Sequence, residues 1–76
     1  MKINVVLHGI LRDHLPRAAK GKTTLMLSDG TTVAEAVRQL HITRSVSAAV
    51  NGEETELDHV LQNGDNLQLF QLIGGG

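Results

Sequence analysis

The sequence contains no cysteine, tryptophan or tyrosine, and only one proline and one phenylalanine among its 76 residues. Without cysteine the chain can form neither a disulfide nor a cysteine-ligated zinc site, and it has no thiol nucleophile. Hydrophobic residues nevertheless make up 41 % of the chain, so the core must be aliphatic. Because a chain this short cannot divide its apolar surface between two cores, we expect one domain.

Strong charge of either sign is also absent, since seven basic side chains oppose eight acidic ones and the formal net charge is −1. Binding to nucleic acid or to an anionic membrane needs a basic excess that this composition lacks, so we expect neither partner. The apolar run Ile3–Leu7 is too short for a signal peptide, and no stretch of about 20 apolar residues could span a membrane. We expect a cytoplasmic protein that is monomeric when free.

The spacing of apolar residues predicts a mixed sheet of four or five strands with one main helix packed across it. Period-two alternation, typical of half-buried strands, marks four segments, which are 2–8, 23–28, 46–50 and 66–72. A short further strand, 53–56, follows the hairpin dipeptide Asn51-Gly52. The connection 9–21 is expected to hold one short helical turn that Pro16 ends. A compact turn is expected between Leu57 and Gly64, and it could be helical.

The main helix is predicted to begin at Thr32, which together with Glu35 fits a capping box. One apolar stripe follows at helical spacing. The predicted core joins this stripe to the inward-facing strand residues: Ile3, Val5, Leu7, Leu25, Leu27, Val33, Val37, Leu40, Val50, Leu57, Leu61, Leu67 and Leu69.

The glycines Gly74, Gly75 and Gly76 cannot contribute to packing, because they have no side chains and lose the most entropy on ordering. We therefore predict a folded domain over 1–73 and a flexible tail over 74–76. Such a tail could thread a narrow channel in a partner enzyme and deliver the Gly76 carboxylate for adenylylation. A disordered end or a cloning remnant is the alternative, and trimming of a longer chain to these glycines stays open.

The last strand predicts a partner-docking face on the side of the sheet away from the helix. If Leu67 and Leu69 point toward the helix, the opposite side carries an apolar patch: Phe70, Leu72, Gln68, Ala49 and Val6. An exposed aromatic in an apolar patch is typical of a protein interface. A one-residue change of register would instead place Phe70 in the core, as its only aromatic residue.

The remaining polar residues do not suggest catalysis. Four scattered histidines have neither the spacing nor the neighbours of a metal site and are expected at the surface: His8, His14, His41 and His59. Two clusters of charged residues are best explained as solvated surface, and electrostatic steering of a partner is the alternative. The basic cluster is Arg12, Arg17, Lys20 and Lys22, and the acidic cluster is Glu53, Glu54, Glu56 and Asp58. No catalytic triad or phosphate-binding loop appears, so we do not expect an enzyme.

Four segments, in this order along the chain, resemble the MoaD/ThiS family of sulfur carriers. They are Gly30–Ala36 at the helix start, Ala49–Glu53 at the hairpin, Leu61–Leu67 before the last strand, and the terminal glycines. The resemblance covers the whole chain and implies an α+β fold of the ubiquitin-like β-grasp type. It leaves open whether the chain is similar to the molybdopterin branch or to the thiamine branch.

The resemblance also implies a function and partners. An E1-like enzyme would use ATP to adenylylate Gly76, sulfur transfer would convert the acyl-adenylate to a thiocarboxylate, and a synthase subunit would accept the sulfur. The chain itself would bind no cofactor and no metal. A ubiquitin-like modifier or interaction module, conjugated through the same glycine, is the alternative function.

Overall fold

A computed structural model of the chain describes residues 1–72. It contains five strands, one α-helix and two 3₁₀ helices: β1 (Lys2–Leu7), the first 3₁₀ helix (Gly9–His14), the second 3₁₀ helix (Arg17–Ala19), β2 (Lys22–Met26), α1 (Val33–Gln39), β3 (Val46–Val50), β4 (Glu53–Thr55) and β5 (Asn66–Gln71). The predicted end of the domain at Ile73 and the predicted glycine tail 74–76 lie outside the described residues, so both stay predictions.

The five strands form one mixed sheet in the order β2-β1-β5-β3-β4. Strand β1 pairs parallel with β5, and the other three pairings are antiparallel. The last strand along the chain is therefore central in the sheet, between β1 and β3. This arrangement confirms the predicted mixed sheet, with its full set of five strands and one α-helix.

Helix α1 begins where the capping motif predicts. The Thr32 side-chain oxygen accepts a hydrogen bond from the Glu35 backbone N–H at 3.3 Å, which satisfies one of the free N–H groups of the first turn. Two more of these groups donate to backbone carbonyls of the later loop, Val33 N to His59 O at 2.9 Å and Ala34 N to Leu57 O at 2.8 Å. The segment 57–61 therefore helps to cap the helix.

One of the two core residues predicted in this loop is wrong, and the loop does not take the helical form that its spacing allowed. The segment after Leu57 forms no helix, because its carbonyls point toward the start of α1 and Leu61 N donates to Thr31 O at 2.9 Å. Leu61 is buried, as predicted, but Leu57 is 41 % exposed and does not belong to the core.

Most of the predicted core is confirmed, with corrections at its margin. Leu25 and Leu40 are half-buried rather than buried, since β2 is an edge strand and Leu40 follows the last residue of α1. Five buried apolar residues were not in the predicted core: Leu11, Ala36, Ile42, Val46 and Ala48. Leu11 is fully buried because the first 3₁₀ helix packs against β5.

The hairpin turn is joined to the start of β5 by a buried carboxylate. Asn51 and Gly52 both have positive φ, 54° and 87°, as the turn dipeptide predicts. Asp65 is 7 % exposed; its Oδ1 accepts a hydrogen bond from Asn51 Nδ2 at 2.9 Å, and its Oδ2 accepts one from Gln62 N at 2.8 Å. These bonds fix where β5 begins, and so which of its residues face outward.

Candidate functional site

Strand β5 brings the predicted docking residues together on the side of the sheet opposite α1. Gln68 is level with Val6 on β1 and with Ala49 on β3. Phe70 is two residues further along β5 and therefore on the same side. Directly paired residues share a face of the sheet, so these positions form one continuous surface, which we call the outer face (Val6, His8, Ala49, Gln68, Phe70 and Leu72).

Exposure decides between the two registers that the sequence leaves open. Leu67 and Leu69 are fully buried, whereas Phe70 is 37 % exposed and Leu72 is 50 % exposed. The predicted outward orientation of Phe70 is confirmed, and its placement as the aromatic residue of the core is wrong. Gln68, Val6 and Ala49 are half-buried on the outer face. Their role in docking a partner stays a prediction.

His8 completes the outer face, although it was not among the predicted docking residues. Its ring stacks on Phe70 with centroids 4.5 Å apart and planes 3° from parallel. Its Nε2 lies 3.1 Å from Gln68 Oε1, at hydrogen-bonding distance, and its backbone N–H donates to Leu69 O at 3.0 Å. The sequence does indicate this placement, because His8 is two residues after Val6 and continues the outward alternation of β1.

The outer face extends to the end of β5 and toward the glycines. Leu72 N donates to Ser45 O at 3.0 Å, which holds the last described residue beside the segment that precedes β3. In the sequence Ile73, Gly74, Gly75 and Gly76 follow directly. The apolar patch therefore lies next to the residue from which this segment continues. The predicted tail and its reactive carboxylate lie outside the described residues and stay predictions.

The outer face is a surface suited to contact with another protein. Residues 1–72 contain no group of three histidine or acidic side chains that could hold a metal ion. In the same part of the chain, no helix is long and apolar enough to cross a membrane. The stacked rings of His8 and Phe70 and the neighbouring aliphatic side chains can exclude water from a contact with another protein.

Several solved structures have the same fold. The small archaeal modifier protein 1 of Haloferax volcanii is 18 % identical over 95 % of this chain and 98 % of its own, with a TM-score of 0.76. A Pyrococcus furiosus protein provisionally designated molybdopterin converting factor, subunit 1, is 19 % identical over 96 % and 99 %, with a TM-score of 0.78.

A third structure is the complex of subunits 1 and 2 of molybdopterin-converting factor from Helicobacter pylori. One of its chains is 18 % identical to this one, with 100 % of each chain covered and a TM-score of 0.64. At such low identities these likenesses show the fold alone, which is the ubiquitin-like β-grasp. No curated protein matches the sequence.

The sequence comparison with protein families is more specific than the shared fold. The model of the ThiS family matches residues 12–76, which include helix α1, the hairpin, β5 and the terminal glycines. This match covers most of the chain and includes all four of the segments that suggested the MoaD/ThiS resemblance. The chain therefore belongs to the ThiS family, within the MoaD/ThiS group of β-grasp proteins.

Proposed function

We propose that this protein is a sulfur carrier whose reactive group is the carboxyl of Gly76, present when Gly76 is the last residue. An E1-like enzyme adenylylates this carboxyl, a sulfur donor converts it to a thiocarboxylate, and the thiocarboxylate donates sulfur to a synthase subunit in molybdopterin, thiamine or related biosynthesis. The observation that carries the proposal is the ThiS family match over residues 12–76, which extends through the glycines.

The proposed chemistry needs no catalytic side chain from this protein. A carboxylate oxygen of Gly76 attacks the α-phosphate of ATP, and pyrophosphate leaves. The acyl carbon is now electrophilic, so a hydrosulfide ion supplied by a partner attacks it, the C–O bond to AMP breaks, and a thiocarboxylate is left with no change in oxidation state. The partner enzyme binds the ATP and supplies the catalytic groups, and this chain acts as a protein co-substrate with no bound cofactor.

The outer face is suited to docking such partners, because it lies close to the start of the reactive segment. Four residues follow Leu72, and a fully extended chain advances at most about 3.6 Å per residue. The tail can therefore reach at most about 14 Å beyond Leu72. A partner's active site must lie within this distance, so its binding surface must include or adjoin Phe70 and Leu72.

The synthase subunit is the second partner in the proposal. The Helicobacter pylori relative of this fold occurs in a complex of subunits 1 and 2 of molybdopterin-converting factor, which supports a comparable two-subunit assembly here. The adenylylating enzyme and the synthase would use the same outer face in turn, because both must reach the same short tail.

A ubiquitin-like modifier is the second candidate function, and the likeness to small archaeal modifier protein 1 favours it. Adenylylation of Gly76 would be the common first step. The activated glycine would then be attacked by a lysine amine of another protein, which forms an isopeptide bond and not a thiocarboxylate.

Intact-protein mass spectrometry separates the two candidates. The protein is incubated with the E1-like enzyme of its own organism, ATP and a sulfur source. We expect a carrier to replace one oxygen by sulfur at Gly76, and a modifier to appear as a branched adduct on a lysine. The matched control is a chain that lacks Gly76. If that shortened chain gained sulfur equally well, or if the full chain gained neither sulfur nor a lysine adduct, the proposal would be refuted.

A further inference from the structure

The connection between β1 and β2 encloses a basic cleft of about 290 Å³. Its lining includes the side chains of Arg12, Arg17 and Lys20 and only one carboxylate, that of Asp13. All four side chains are exposed. A protein with a net charge of −1 therefore concentrates three of its seven basic residues around one small depression. We call this depression the basic cleft.

Backbone geometry holds one of these arginines against the wall of the cleft. Gly21 has a φ of +79°, and a Cβ added there would lie 2.9 Å from Arg12 Cγ and 3.3 Å from Arg12 Nε. The Arg12 side chain therefore lies across Gly21, in space that any other residue would fill. A cation packed in this way loses less conformational entropy when it pairs with an anion than one on a free side chain.

The basic cleft lies at the end of the sheet where the chain continues toward Gly76. Strands β1 and β5 are parallel neighbours, so both end on this side, and the first 3₁₀ helix packs against β5. Gly9, which lines the cleft, directly follows His8, whose ring stacks on Phe70. One wall of the cleft therefore begins at the residue that follows His8 of the outer face.

Acidic side chains occupy the opposite edge of the sheet. Glu53 and Glu54 lie on β4, which is separated from β2 by three strands. At about 4.8 Å between neighbouring strands, the two edges are about 19 Å apart. A row of directly paired residues crosses all five strands on the same side of the sheet as the outer face, from the cation Lys22 to the anion Glu54. Its members are Lys22, Val6, Gln68, Ala49 and Glu54. The charge is therefore separated across the docking surface.

We propose that the basic cleft docks carboxylate side chains of an acidic segment on the adenylylating enzyme. This contact turns the outer face and the tail toward the active site of that enzyme, and the inference rests on the proposed function. Opposite charges at the margin of an apolar contact raise the association rate and fix the orientation of the complex.

A protein partner fits the cleft better than a small free anion does. The cations are exposed at the margin of the cleft and come from two separate 3₁₀ helices and the turn after them. Within residues 1–72 no buried polar side-chain atom lacks a hydrogen-bond partner, so no buried group is directed at a small ion. A row of carboxylates on a protein surface can meet all three cations at once.

The test compares the adenylylation kinetics of two variants with those of the unmodified chain. Arg12→Gln/Arg17→Gln removes two charges from the cleft, and Arg38→Gln removes one exposed charge from α1 as the control. We expect KM of the double variant to rise about tenfold at low salt with kcat unchanged, since steering affects encounter and not chemistry. The difference should disappear near 1 M salt, where the Debye length is about 3 Å. An unchanged KM, or an equal rise for Arg38→Gln, would overturn the inference.

A binding measurement tests the inference without the enzyme. The backbone amide signals of residues 9–21 are followed by NMR while a hexaglutamate peptide or inorganic phosphate is added. We expect saturable shifts with the peptide that are lost in Arg12→Gln/Arg17→Gln and kept in Arg38→Gln. Equal shifts with phosphate, or none with the peptide, would contradict a carboxylate-docking cleft. If the unmodified chain is not adenylylated at all, the proposed function fails and the docking inference fails with it; if it is adenylylated but the peptide does not bind, the docking inference alone fails.

Discussion

Replacing Phe70 by alanine separates the stability of the fold from the docking of a partner. The ring is 37 % exposed, so about two thirds of its transfer free energy contributes to folding. Full burial of a phenylalanine is worth about 1.5–3 kcal/mol, and this fraction predicts a loss of about 1–2 kcal/mol in the free energy of unfolding. At the centre of an interface the same truncation costs 2 kcal/mol or more, which is about a 30-fold loss of affinity.

Two further substitutions calibrate these magnitudes. Leu69 is the fully buried neighbour of Phe70 on β5, and Leu69→Ala should lose about 2–5 kcal/mol of stability. Met26 is 73 % exposed and pairs with Lys2 at the opposite end of the sheet. Met26→Ala removes a comparable apolar side chain far from the tail, so it should change neither stability nor partner binding by a measurable amount.

The measurements are urea unfolding for stability and KM in the adenylylation reaction for docking. We expect Phe70→Ala to remain folded with a raised KM, while Met26→Ala behaves as the unmodified chain. A stability loss of about 3–5 kcal/mol for Phe70→Ala would mean that the ring belongs to the core. An unchanged KM would mean that the outer face does not dock the enzyme. Either result refutes the reasoning.

Two other predictions concern the parts of the fold that position the outer face. Gly21→Ala should destabilise the protein by about 2–4 kcal/mol in urea unfolding, because the new Cβ would lie 2.7 Å from Leu7 O at a φ of +79°. The control is Gly30→Ala, which should cost only about 1–2 kcal/mol, since Gly30 has a similar φ of +88° but a Cβ there would have nothing within 4 Å. Equal losses of stability for the two variants would show that the close contact is unimportant. Asp65→Ala should cost about 2–4 kcal/mol in thermal unfolding, since it leaves the donors from Asn51 and Gln62 without their acceptor. A loss below 1 kcal/mol would contradict the structural role of this carboxylate.

Local patterns predicted much of this structure because local physics determines those parts. Alternation on β5 already indicated that Leu67 and Leu69 lie on one face and Phe70 on the other, and the side chain of Thr32 marked the start of α1. Such features depend on residues within a few positions of one another. They do not depend on which strands become neighbours.

The features that the sequence did not reveal depend on distant parts of the chain. The stack of His8 on Phe70 requires β1 and β5 to pair in parallel, and residues 62 positions apart meet along this pairing. The Leu57 carbonyl accepts a hydrogen bond from the start of α1 while its side chain is exposed, and Leu11 is buried because the first 3₁₀ helix packs against β5. No periodicity within one segment contains this information.

The central position of β5 has a consequence for biosynthesis on the ribosome. The sheet cannot close until its final strand has been translated and released, because β5 supplies the partner for both β1 and β3. A chain interrupted before β5 would lack Gln68, Phe70 and Leu72, which are three of the six residues of the outer face. The outer face is therefore complete only after β5 has taken its place between β1 and β3.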